Sequence, residues 1–158
     1  MNLDEFLKHA KEKEFFETLE RKARNAEVLD IETQLSITLT QTYRELIEEV
    51  GWVGWFGVST FGVCDDRQDS TLLRTISERD SLAKYPQSFP PLPKHGNIIA
   101  AIFGGGFCFL YSMESERAGQ ISAHSPDDRY QEVQYWDSLE NYFDYLIQGV
   151  HNWHSVER

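Results

Sequence analysis

At 158 residues, with 41% hydrophobic and 13% aromatic content, the chain suffices for one packed domain burying roughly 70% of its unfolded surface. Its 26 acidic against 15 basic residues leave a net charge of −11. That balance disfavours a basic patch for nucleic acid or anionic membrane and favours attraction to a basic partner. No apolar run approaches the roughly 18 residues a membrane-spanning helix needs.

The opening stretch MNLDEFLKHAKEKEFFE is charged throughout and has no apolar h-region, so it does not read as a signal peptide. Residues 3 to 24 read as helix, with Leu3, Phe6, Leu7 and Ala10 on one stripe. Phe15, Leu19 and Ala23 form a second stripe out of phase with the first, suggesting a bend near Lys13. Val28 to Leu35 reads as a short second helix and Gln41 to Val50 as a third. In the third, Tyr43, Leu46, Ile47 and Val50 make the buried stripe and Glu45, Glu48 and Glu49 the wet side. Thr40 is placed to cap its start, and Gly51 to close its end in a left-handed conformation.

Trp55 to Val63 is apolar on both faces, as an inner strand covered on both sides would be. Residues 70 to 85 are compatible with a strand end followed by a helical turn. Pro86 to Lys94 carries four prolines in nine residues, which demands a loop or extended crossing. Ile98 to Phe103 and Phe107 to Tyr111 flank Gly104-Gly105-Gly106, a hairpin signal. Strands follow at Gln120 to His124 and Tyr130 to Trp136. A helix from Ser138 to about Val150 closes the pattern, burying Leu139, Phe143, Leu146, Ile147 and Val150. The expected fold is α+β, one domain over residues 1–158. It has a largely antiparallel sheet of about five or six strands, with N-terminal helices and a C-terminal helix packed on it.

Groups that could carry chemistry are sparse. Gly104-Gly105-Gly106 lacks the lysine and following helix of a phosphate loop and reads as turn chemistry. His124, Ser125 and Asp127 have the letters of a catalytic triad, but near-adjacent residues seldom converge on one reacting atom. His151 and His154, three apart near the end of the last helix, have no evident third metal ligand. Asp65, Asp66 and Asp69 lack the glycine and distal glutamate of a calcium loop. Cys64 and Cys108 lie in apolar sequence and read as buried thiols of a reducing compartment, so a cytoplasmic location is expected. Trp52 and Trp55 read first as core; a small-molecule site lined by Trp52, Trp55 and Tyr111 stays open. No enzyme, metal or cofactor is expected.

The helix at Val28 to Leu35, Leu39-Thr40 in place of a usual Leu-Pro, Tyr43, the Gly51 helix stop and the glycine-rich Gly54–Val58 strand together resemble the SUKH superfamily. These are the Smi/Knr-like domains of bacterial polymorphic toxin systems. Gly119-Gln120-Ile121 and the helix opening Trp136-Asp137-Ser138-Leu139 fit the same template. The resemblance spans about residues 28 to 148, leaving 1–27 as an N-terminal helical extension. It implies an immunity protein that binds a cognate toxin, often a nuclease, and occludes its cleft. Asp65, Asp66, Asp69, Asp127, Asp128 and Glu132 are the candidate toxin-binding surface, carboxylates standing where the cleft expects phosphates. Two alternatives remain: a regulatory interaction module of a cell-wall or signalling assembly, and the small-molecule domain.

Overall fold

The computed structural model describes every residue except 20, 56–57, 66–69, 103, 150–152 and 158. Helix α1 (Leu3–Lys11) buries Leu3, Phe6 and Ala10. A capping box starts it: Glu5 N–H donates to Asn2 Oδ1 at 2.9 Å, and Asn2 N–H donates to the Glu5 carboxylate at 3.3 Å. The helix expected to reach residue 24 ends at Lys11. Phe15 adopts φ 59°, which a right-handed helix does not admit, and Glu17–Thr18 forms an edge strand, β1. Of the second stripe only Ala23 is buried; Phe15 and Leu19 are exposed.

Helices α2 (Asn25–Leu35) and α3 (Gln41–Glu49) stand where the apolar spacing puts them, α3 burying Tyr43, Leu46 and Ile47. Both expected caps of α3 are overturned. Thr40 holds the N-cap position with no side-chain capping bond, and the helix closes through Val50 in an extended conformation, φ −140°. Gly51 is needed for space instead: a Cβ there would stand 2.5 Å from the Arg21 carbonyl oxygen and 2.8 Å from that of Val63.

The single inner strand expected over Trp55 to Val63 is also overturned. Strand β2 (Trp52–Trp55) pairs antiparallel with β3 (Val58–Phe61), Val53 opposite Thr60 and Trp55 opposite Val58, and β1 extends this sheet on the other side of β2. The ambiguous segment after it is helix α4 (Thr71–Ala83), opened by Ser70, whose Oγ accepts the Leu73 N–H at 3.2 Å. Strands β4 (Gly96–Ile102), β5 (Gly106–Tyr111), β6 (Ile121–His124), β7 (Glu132–Trp136) and β8 (His154–Ser155) form a second antiparallel sheet in chain order. Helix α5 (Leu139–Gln148) buries Leu139, Tyr142, Phe143 and Ile147. The fold is α+β as expected, and among the described residues its antiparallel strands form a three-stranded and a five-stranded sheet rather than one.

Alternation along β5 divides the interior. Cys108 and Leu110 join the main core with Phe6, Tyr43, Ile47, Trp136 and Phe143. Phe107, Phe109 and Tyr111 point to the other face, where Phe61, Leu82, Leu92 and Ile98 pack. The proline-rich crossing contributes Leu92 and Phe89 to that second cluster. Ser122 pairs in register with Phe109 and with Tyr135, and therefore shares their face. Toward β6 and β7 the second face thus turns from apolar to polar.

Candidate partner-binding surface

That polar face and the turn at its edge carry most of the described candidate residues. Two residues beyond Ser122 on β6, His124 is buried, and both ring nitrogens are engaged. Nδ1 donates to the Tyr130 carbonyl at 2.9 Å, and Nε2 lies 2.8 Å from Ser122 Oγ. Burial holds the imidazole below its ordinary pKa, partly offset by the Tyr130 carbonyl. His124 is therefore occupied by Ser122 and Tyr130, not by the neighbouring Ser125 and Asp127 with which a triad would have been built.

Between His124 and β7 the chain makes a 3₁₀ turn, Pro126–Asp128, followed by two non-glycine residues in the left-handed region, Arg129 at φ 57° and Tyr130 at φ 60°. Such conformations cost on the order of 1 kcal/mol each. The surroundings hold them in place: Tyr130 N–H donates to the Ser125 carbonyl at 2.8 Å, and its ring packs edge-on against Phe89 (5.4 Å) and stacks over Phe107 (6.0 Å). The turn presents Asp127 exposed and Asp128 half-buried on a fixed loop.

Glu132 follows on β7, opposite His124 in register. Its carboxylate accepts Arg117 Nη2–H at 2.7 Å. Arg117 also donates from Nη1 to the Tyr111 hydroxyl (2.9 Å) and from Nε to Gln120 (2.8 Å), with its guanidinium 4.4 Å above the Tyr111 ring. Arg117 organises this face, yet nothing in a lone loop arginine marks it in the sequence.

The remaining candidates are dispersed. Asp65 is exposed, 3.6 Å from Arg21 Nη2, in a different depression shared with Arg24, Glu27 and Asp30. Asp66 and Asp69 lie outside the described residues. Trp52 and Trp55 line a shallow cleft with Phe15, Glu17 and Gly54, while Tyr111 sits beneath Arg117 on the other sheet, so these three residues do not make one site. Trp55 packs on Phe6 of the main core (6.1 Å), and Trp52 packs against the second cluster. His154 lies on a strand rather than a helix end, 2.9 Å from the Asp137 carboxylate and stacked on Tyr135; His151 is outside the described residues. Among the described residues no group of three His, Cys, Asp or Glu is placed to hold a metal ion. Cys64 and Cys108 form no disulfide, and no described helix is long and apolar enough to cross a membrane.

A family model described as SMI1-KNR4 cell-wall, of the SUKH type, matches residues 3–148. The matched span runs from α1 through α5 and takes in the acidic turn and the Arg117 cluster. No curated protein matches the chain.

Proposed function

Because the chain belongs to the SMI1-KNR4 family, we propose that it is an immunity protein that neutralises a basic toxin, most simply a nuclease, by covering its cleft. The observation carrying this reading is the acidic turn: exposed Asp127 and neighbouring Asp128 on a loop fixed by His124 and Tyr130, in a chain of net charge −11. A cleft that binds phosphates through lysine and arginine attracts such a surface before contact, and steered association reaches about 10⁸ M⁻¹s⁻¹ at low salt. A preformed acidic loop also loses little conformational freedom on docking. In this reading the protein performs no chemistry, and no nucleic acid or membrane is its direct partner.

The test is co-expression with the product of the reading frame directly upstream of the gene, which this reading expects to be a toxin. Restored growth, together with a complex that survives gel filtration, is expected. Unrelieved toxicity with no complex would overturn the proposal. The family description supports a second reading, a regulatory interaction module of a cell-wall assembly. Its partner need not be basic, and a gene with no toxin beside it would favour that reading.

A further inference from the structure

The proline-rich crossing between α4 and β4 keeps one side in water. Leu92 is buried and Phe89 and Pro90 are half-buried, but Tyr85, Pro86 and Pro91 are exposed. Tyr85 alone is 60% exposed. Residues 85–93 hold no charged side chain, in a chain of which 26% is charged.

Exposure here does not mean looseness. Tyr85 N–H donates to the Leu82 carbonyl (3.2 Å), and the Tyr85 carbonyl accepts from Ser88 N–H (2.9 Å) and Phe89 N–H (3.0 Å). Arg79 on α4 donates Nη2–H to the Pro93 carbonyl at 3.2 Å. Pro86, Pro90, Pro91 and Pro93 fix φ along the segment. A patch already held in one conformation loses little freedom when another molecule covers it.

This shelf runs into the acidic turn. Tyr85 stands edge-on to Phe89 at 6.2 Å, Phe89 edge-on to Tyr130 at 5.4 Å, and Tyr130 follows Asp128 by two positions. An uncharged aromatic patch rimmed by charge is the anatomy of a protein interface, and tyrosine is among the side chains that most often anchor one. Charge decides what covers it. A second copy would bring another chain of net charge −11, and another acidic turn, to the same footprint, which like charge opposes. Lys84 and Lys94 flank the shelf itself, so its attraction for a basic partner comes from Asp127 and Asp128.

We propose that Tyr85 anchors the basic partner: the acidic turn steers it in, and an apolar patch beside its lysines and arginines then closes over the Tyr85 ring. This inference rests on the immunity reading and adds to it a separation of roles, approach through the turn and retention through the shelf.

Binding kinetics with the product of the upstream reading frame test it. Tyr85→Ala should speed dissociation by roughly tenfold or more and leave association within about twofold. Tyr85→Phe, which keeps the ring, should dissociate like the native chain. Leu29→Ala, on α2 and 57% exposed, is the control and should alter neither rate. With no variant at all, hydrogen exchange at the Gln87 and Ser88 amides should slow in the complex. A complex that forms but dissociates no faster after Tyr85→Ala, or that leaves exchange there unchanged, overturns this inference and lets the immunity reading stand. Failure of the native chain to form any complex overturns both. A dimer of the free protein that Tyr85→Ala disperses would make a second copy the occupant and equally overturn it.

Discussion

His124 and Tyr130 lock the acidic turn to the sheet: the imidazole on β6 donates Nδ1–H to the Tyr130 carbonyl at 2.9 Å, across the residues that carry Asp127 and Asp128. A carbonyl can only accept, so the hydrogen of the neutral ring resides on Nδ1. Nε2 then offers a lone pair to the Ser122 hydroxyl at 2.8 Å. One neutral side chain thus ties the strand floor to the loop proposed to meet a partner.

Acid should loosen that tie. Burial lowers the His124 pKa in the folded protein, with Glu132 pulling it up and Arg117 pushing it down. As pH falls through about 6.5, the unfolded chain takes up the proton first. His124's contribution is complete above that value and is lost as pH falls toward the lower folded value. Urea midpoints should fall between pH 7.5 and 5.5, with a shallower fall in His124→Gln. Identical slopes in the two proteins would show that His124 does not govern the response.

The two left-handed residues of the turn make opposite predictions. Arg129 is exposed at φ 57°, so Arg129→Gly relieves roughly 1 kcal/mol of strain, partly offset by the greater freedom of glycine in the unfolded chain. A net gain of about 0.5 kcal/mol, or roughly 1–2 °C in Tm, is expected. Tyr130→Gly relieves the same strain but removes the ring held against Phe89 and Phe107, and should cost about 2–3 kcal/mol. Thermal melts of the two variants read the sign directly.

The glycines sort by surroundings in the same way. At Gly51 an added methyl would meet the backbone oxygens of Arg21 and Val63, which cannot swing aside. Gly51→Ala should destabilise by about 3 kcal/mol, as overpacking does. Gly104 has φ +92°, and a Cβ added there would meet nothing within 4 Å, so Gly104→Ala should cost only about 1 kcal/mol of backbone strain. Denaturant titrations giving equal losses would contradict the steric account of Gly51.

These positions also show what a single sequence reveals. The stripe Tyr43, Leu46, Ile47 and the stripe of α5 were legible because each helix buries one face and wets the other. The glycine triplet between β4 and β5 was legible because turn chemistry is local. The β2–β3 hairpin was hidden, since Phe56 and Gly57, which separate the two strands, read in the sequence as part of one apolar run. Phe15, Leu19 and Ala23 mimicked a helical stripe, although β1 owes its existence to pairing with Val53 and Gly54, which no local pattern encodes. Among the candidate acids, sequence could count charges but not neutralisation: Glu132 is tied to Arg117 through a contact 15 positions away.

That neutralisation sharpens the prediction for partner binding. With its carboxylate 2.7 Å from Arg117, Glu132 projects little net field, whereas Asp127 has no ionic partner among the described residues. Asp127→Lys combined with Asp128→Lys should slow association with a basic toxin by roughly tenfold or more at low salt and flatten its salt dependence. Asp65→Lys is the control, because it changes the charge of a separate depression beside Arg21. If the turn itself docks, stopped-flow rates should fall far more for the double reversal than twice the effect at Asp65. Effects that merely scale with charge would mean that the overall field steers the encounter and that the contact lies elsewhere.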